Sequence, residues 1–314
     1  MATSGSVDFN PDAQQLVSEA FKLIGVRPAE TPLDSFEIQD GLNQLNLMLK
    51  GWQSQGLHLW CQEEGVIFLD VGKTDYLLGP SGDEATTLDD FVGTTTTADE
   101  PTSETVIAVT DSTGMTAEDY VGVELDAGTR HWTTIVTVDS ATQITITAGL
   151  PSAAASGSTV FTFTDLIQRP LRVNSSRRKT YGEDNEIEIQ SWSRQEYFNQ
   201  VNKSSQGTVV NAYYSPQLVN GRYYVWQTAD SVNKYVRITF DRPIEDVDLE
   251  SETLDIPVEW LETVVYNLAA RLADSYSVPM QKVQSVTAKA AYFLEQAIGW
   301  DEEIESIFIQ PRLY

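Results

Sequence analysis

The stretch Leu254 to Asp274, LDIPVEWLETVVYNLAARLAD, constrains this chain most, because its natural packing partners lie about two hundred residues upstream. Pro257 stands where a helix's first turn tolerates proline, and Leu261, Val265, Leu268 and Leu272 follow at spacings of four, three and four. That is one apolar stripe along about five turns. A second stripe follows the Pro279 break, through Val283, Val286, Ala290, Phe293 and Ala297. A third lies far back, at Ile38, Leu42, Leu45, Leu49 and Trp52. Before it a shorter helix is expected, with Asn10 as N-cap, Pro11 at its first position, Val17, Ala20, Phe21 and Ile24 on one face, and Gly25 just past its end. Each stripe needs apolar surface, and four stripes supply it for one another. The chain therefore reads as a multidomain α+β protein: a four-helix core built from both chain ends, with the segment between Trp60 and Leu254 inserted into it.

That insertion has two parts. Val66 to Leu78, Arg222 to Gln227 and Lys234 to Phe240 read as strands of one mixed sheet, a central β-rich unit over residues 63–79 and 166–250. Ser193-x-x-Glu196 is a capping box opening a short helix there. From Pro80 to Asp165 the composition shifts to Thr, Ser, Asp, Gly and Val, with 14 acids against the single base Arg130, a charge of −13. Period two recurs at Val121, Val123 and Leu125, from Trp132 to Val138, at Ile144 and Ile146, and at Phe161 and Phe163. Residues 80–165 are thus expected to form an inserted all-β sandwich or barrel of five or six strands that could be removed without destroying the rest. The helical halves are residues 1–62 and 251–298, with the acidic stretch Glu245 to Asp255 as a solvated linker and 299–314 as an extended tail.

The whole chain carries a formal net charge of −26 and an isoelectric point near 4.2, which opposes conventional binding of free nucleic acid. One cysteine, Cys61, cannot make an internal disulfide. MATSGSVDFN lacks the basic and apolar regions of a secretory signal, and no run approaches a membrane span, so the chain reads as soluble and unexported.

Signs of catalysis are weak. Gly72-Lys73-Thr74 ends like a phosphate loop, but the glycine required five residues earlier is Ile67. His58 and Cys61 have metal-ligand spacing, yet His131 is the only other histidine, and zinc needs three or four ligands. Asp89 and Glu124 can be proposed as a glycosidase pair, but in so acidic a chain two neighbouring carboxylates are expected by chance. Asp246, Asp248, Glu250 and Glu252 lack the glycine of a calcium loop. No catalytic residue, cofactor or metal is expected. The basic run Arg169, Arg172, Arg177, Arg178 and Lys179 has two readings: pairing with the EDNEIEIQ acids beside it, or an inter-subunit or DNA-facing patch.

Two regions resemble a known family. A helix ending Leu23-Ile-Gly-Val26, a second ending at Trp52 with Gly56 after it, and the later Asn267-Leu-Ala-x-Arg-Leu-Ala-x-x-Tyr276 helix are similar to the head-to-tail adaptors of short-tailed phages, also called tail accessory or packaged-DNA stabilisation proteins. The similarity covers Ala13 to Trp60 and Ile256 to Ala297; compact family members lack the middle. It implies a non-enzymatic virion protein, made in the host cytoplasm and placed at the portal vertex. It would form a homo-oligomeric ring, usually a dodecamer, beneath the portal protein, extend the channel, retain packaged DNA without reading its sequence, and dock a downstream tail nozzle or hub. It also implies a portal-docking tail, here Trp300, Ile304, Ile307, Phe308, Ile309, Pro311, Arg312, Leu313 and Tyr314, and gives the forming of the ring to the helical core that the stripes mark at Phe21, Leu42, Leu45, Leu49, Trp52, Leu261, Val265, Leu268, Leu272 and Phe293. Two rivals remain: a binding module in which the β insertion recognises a receptor, glycan or decoration partner, and a cell-wall glycan hydrolase.

Overall fold

A computed structural model of the chain describes residues 5, 9–27, 31–55 and 59–300. It is a mixed α+β protein of two compact units. One unit comprises the chain up to Cys61 together with the chain from Ile244 onward; the other is Gln62–Pro243.

In chain order the elements begin with helices α1 (Ala13–Ile24) and α2 (Ser35–Gln53). Nine strands follow: β1 (Gln62–Phe68), β2 (Asp75–Leu78), β3 (Ala85–Thr87), β4 (Val92–Thr95), β5 (Val106–Ala108), β6 (Tyr120–Glu124), β7 (Arg130–Ser140), β8 (Gln143–Ile146) and β9 (Thr159–Phe163). Then come β10 (Arg172–Thr180), β11 (Glu186–Glu188), β12 (Gln190–Ser191) and the short helix α3 (Arg194–Asn199). After it lie β13 (Gln206–Gly207), β14 (Asn211–Ser215), β15 (Gly221–Trp226), β16 (Thr228–Ala229) and β17 (Lys234–Asp241). Helices α4 (Leu261–Ser275) and α5 (Met280–Trp300) close the described chain.

In the helical unit, α1 is capped by Asp12, whose carboxylate accepts from the Gln15 amide at 2.8 Å, so the helix starts two residues later than an Asn10 cap would set it. Gly25 ends it at φ 74°, a left-handed conformation that glycine adopts without strain. Asp34 and Glu37 form a reciprocal capping box on α2, and Arg27 bonds both carboxylates. Pro257 caps a 3-10 turn, Val258–Trp260, and α4 begins only at Leu261, so it runs about four turns rather than five. The buried stripe runs through Val264, Leu268 and Leu272, which are wholly buried, whereas Val265 is only half-buried. Phe293 is likewise half-buried, its ring tilted against Tyr266 with 4.8 Å between centres, rather than central. One buried cluster takes residues from α1, α2, α4 and α5, with Phe21 edge-on to Tyr276 and Trp260 between Trp52 and Trp60.

The expected solvated linker is instead part of this unit. Ile244, Val247 and Leu254 are buried in the helical cluster. The Asn46 amide both donates to Val247 O and accepts from Val247 N, at 2.9 and 3.0 Å. The first-turn amides of α1, which no helix can satisfy internally, donate outward: Ala13 to Glu252 O at 2.8 Å and Gln14 to Glu250 O at 3.0 Å. Residues at opposite ends of the described chain thereby complete each other's backbone bonding.

The β unit departs from the single sheet expected. β1 and β17 belong to a five-stranded sheet, β11-β10-β17-β1-β3, whereas β2 and β15 belong to a four-stranded one, β12-β14-β15-β2. The turn at Gly72 (φ 76°) carries the chain from the first sheet to the second. Their inner faces meet through Ile67, Val236, Ile238 and Phe240 on one side and Tyr76, Leu78, Tyr223 and Val225 on the other. A parallel pair, β13-β16, lies beside them in sequence.

The remaining six strands, β4-β9-β6-β7-β8-β5, curl into a half-barrel whose edge strands are tied by a bridge at Thr96 and Val109. Two features correct the expectation of an excisable domain over 80–165. β3 lies inside that range yet pairs with β1, Thr86 opposite Val66. Phe161 and Phe163 of β9 share a buried cluster with Val66, Phe68 and Tyr235 of the five-stranded sheet. The barrel covers that sheet's second face, so removing it would expose a wall of aromatics.

Candidate functional site

The sequence-derived site residues fall into three groups. Of the tail, Trp300 is the last residue of α5, which therefore extends past the expected boundary at 299. Ile304, Ile307, Phe308, Ile309, Pro311, Arg312, Leu313 and Tyr314 lie outside the described residues, as does His58.

The basic run does not form one exposed patch. Arg177, Arg178 and Lys179 sit on β10, and their neighbours answer most of their charge. Arg177 reaches Glu64 at 2.7 Å, Lys179 reaches Glu186 at 3.7 Å, and Arg178 donates to Val209 O at 2.7 Å. Arg237, directly opposite Arg177 on β17, bonds both Glu64 and Glu186. Only Arg172 is exposed, at the start of the strand, with Arg169 half-buried before it. Burial pushes the Glu64 carboxyl up, but the hydrogen bonds from Arg177 and Arg237 outweigh it and hold it below the ordinary carboxylate range. The Glu186 partner was visible in the EDNEIEIQ stretch. Glu64, more than a hundred positions away, and Arg237 carried no local signal.

The suspected chemical groups have structural partners. Lys73 pairs with Asp83 at 2.8 Å beside the Gly72 turn. Glu124 accepts from the amide and hydroxyl of Thr159, and Thr159 accepts from the buried Arg130, whose guanidinium lies 3.9 Å over Phe161. Burial pulls the Arg130 guanidinium down to about 10, with the nearby Glu124 charge opposing that fall. Asp89 is exposed in a turn. Among the described residues no group of three His, Cys, Asp or Glu side chains could hold a metal ion, and no helix is long and apolar enough to cross a membrane.

The helical unit carries an open apolar surface among the described residues. Its apolar groove, about 550 Å³, runs between α1 and α4, walled by Leu16 and Leu23 on one side and Leu261, Val265 and Tyr266 on the other, with Phe9 and Pro11 at one end. Phe9 is 77% exposed. Gln15, Glu19 and Glu262 edge it. A second, smaller cleft of about 280 Å³ lies between the start of α4 and the last turns of α5, lined by Trp260, Thr263, Phe293, Gln296 and Ala297; Glu262 borders both. Sequence reading missed the groove because it takes one stripe per helix as the buried face. The available signal was width: α1 is apolar at Leu16 and Leu23 as well as along its core stripe, more than one helical neighbour needs.

In the β unit, apolar exposure concentrates at Phe198 and Val201, on and just after α3, and at Leu218 and Val219 in the β14–β15 turn. Compared with protein-family models and with curated proteins, the chain has no match.

Proposed function

We propose that this chain is a structural, non-enzymatic virion component of the head-to-tail adaptor type. Copies stand side by side in a ring beneath a portal, extend its channel, retain packaged DNA and receive the tail protein. The four helices α1, α2, α4 and α5 act as one core that holds the copies together. The observation that carries this reading is the junction of the two chain ends, where α1's first amides are completed by Glu250 and Glu252 carbonyls and one apolar cluster spans both. Such a unit leaves the middle of the chain free to vary, as the resemblance implies for larger adaptors.

The charge supports the same reading, since a ring of chains at −26 each presents acid to passing DNA and lets it slide rather than bind. A lumen lined with bases instead would remove that element of the proposal. The paired state of Arg177, Arg178 and Lys179 favours a structural role for those bases over a DNA-facing one.

The test is assembly. Full-length chain is examined by sedimentation velocity and negative-stain imaging, alone and with the portal protein encoded in the same genome. Ring particles of about a dozen copies, stacked on portal, are the expected outcome. A monomer at every concentration that also fails to bind portal refutes the proposal.

A further inference from the structure

The helical unit carries an apolar ridge as well as a groove. We infer that the outer ridge of α2 in one copy seats in the α1–α4 groove of a second copy, so that chains associate head to tail. This deepens the ring reading and rests on it, because it names the surfaces through which copies meet.

The ridge is the exposed stripe Phe36, Gln39, Asn43 and Leu47, whose spacings of three, four and four keep it on one face of α2. Phe36 is 79% exposed and Leu47 61%. The groove offers them apolar walls, Leu16 and Leu23 on α1 and Leu261 and Val265 on α4, around about 550 Å³. Lengths agree as well. Phe36 and Leu47 stand about 16 Å apart along the helix axis, while the α1 wall runs about 12 Å from Gln15 to Leu23 and is prolonged by Phe9 and Pro11. A helix laid in a groove by apolar anchors on one face is a common mode of recognition.

Within one chain the two surfaces face apart. Val17 of α1 packs at Gly41 of α2, 2.4 Å from where a Cβ there would lie. Leu16 and Leu23 are turned about 100–120° from Val17 around α1, and the Phe36 to Leu47 stripe about 150° from Gly41 around α2. Each copy can therefore give one surface and receive the other, the heterologous contact that closes into a ring when its rotation allows.

Charge selects the same pairing. Copies at −26 repel one another, so a contact between them must avoid setting acid against acid. Glu19 and Glu262 edge the groove. The α2 stripe carries no acid: Gln39 and Asn43 bring amide donors that suit those carboxylates, and Lys50, paired to Asp246 at 2.8 Å, continues it. Salt, which screens the net repulsion, should tighten the association.

The experiment mixes two full-length chains, each in a Cys61→Ala background, one carrying Leu47→Cys and the other Leu23→Cys, under gentle oxidation with and without the portal protein of the same genome. A disulfide joining position 47 of one chain to position 23 of the other, identified by peptide mass, is the expected result. A link mainly between two copies of position 47, or no link in protein that circular dichroism shows to be folded, overturns the inference. In a second variant, Phe36→Ser with Leu47→Ser, the dissociation constant for self-association should rise at least about tenfold by sedimentation velocity, with the helical signal unchanged. Rings that form in this variant at the parent's concentration overturn the inference and leave the ring reading standing. A parent chain that stays monomeric and binds no portal refutes the ring reading, and this inference with it.

Discussion

Replacing Phe21 by Ala tests whether the two chain ends fold as one body. Phe21 is fully buried in α1 and meets Tyr276, at the end of α4, edge-on with 5.0 Å between ring centres. Truncating a buried Phe costs about 3–5 kcal/mol. Roughly 0.5–1.5 kcal/mol of that belongs to the aromatic pair and should appear as coupling in a double-mutant cycle with Tyr276→Ala. Against a total stability of about 5–15 kcal/mol the loss is large. With a urea slope of about 1–3 kcal/mol per molar, the helical midpoint should fall by roughly 2 M. Hydrogen exchange locates the effect. Amides of Val264, Leu268 and Leu272, about 240 positions from the mutation, should lose protection by roughly a thousandfold, together with those of α1. If α4 keeps its parental protection while α1 loses its own, the ends are separate bodies and the argument for one unit fails.

Three further outcomes follow from individual contacts. Gly41→Ala should destabilise the helical unit although alanine favours a helix by about 1 kcal/mol, because the new Cβ would sit 2.4 Å from Val17 Cγ1, on a stiff β-branched side chain; a raised melting temperature would contradict this. Glu64 titrates below its ordinary value in the folded chain, so its contribution is present above about pH 4.3 and is lost as pH falls through the lower folded value. Glu64→Gln should therefore flatten the acid side of the β unit's stability profile, and an unchanged slope would sink the assignment. Phe68→Ala, amid Phe91, Trp132, Phe161 and Phe163, should cost about 3–5 kcal/mol and weaken the near-ultraviolet signal of Trp132; a preserved signal would mean that the barrel does not depend on this wall.

How much of this was legible in the sequence follows from what each signal encodes. Period reports which face of an element is buried, so the α2 stripe from Ile38 to Trp52 and strands β6 to β9 stand where their patterns put them. Period does not report the partner, which is why β1 and β2 were read into one sheet and lie in two. β3 is three residues long in a Thr-rich run and has no period to read. Asn10 before Pro11 has the pattern of an N-cap, yet the cap falls on Asp12 after that proline, where Asp12 also bridges to Thr253, a partner about 240 positions away that no local spacing marks. The groove and the Glu64–Arg177–Arg237 lattice are long-range juxtapositions, and no local spacing marks them.

An insertion of about 180 residues between α2 and α4 should burden the helical unit with a loop-closure cost of 3/2 RT ln n, several kcal/mol for a flexible chain. The β unit removes most of it by its own topology. Its first strand and its last are register partners, Gln62 opposite Asp241 and Glu63 opposite Phe240, and Arg242 pairs with Glu63 at 2.7 Å. The chain therefore leaves the β unit beside the point where it entered, and the effective loop is a few residues long. Taking n from about 180 to about 10 lowers the closure cost by about 2–3 kcal/mol. Weakening β17 within its sheet, for example with Ile238→Ala and Phe240→Ala together, should then lower the helical unit's stability by up to that amount once the β unit has unfolded, although neither residue belongs to the helical cluster. A helical midpoint that is the same with the β unit folded and unfolded would show that the neck at Gln62 and Asp241 contributes nothing to holding the ends together.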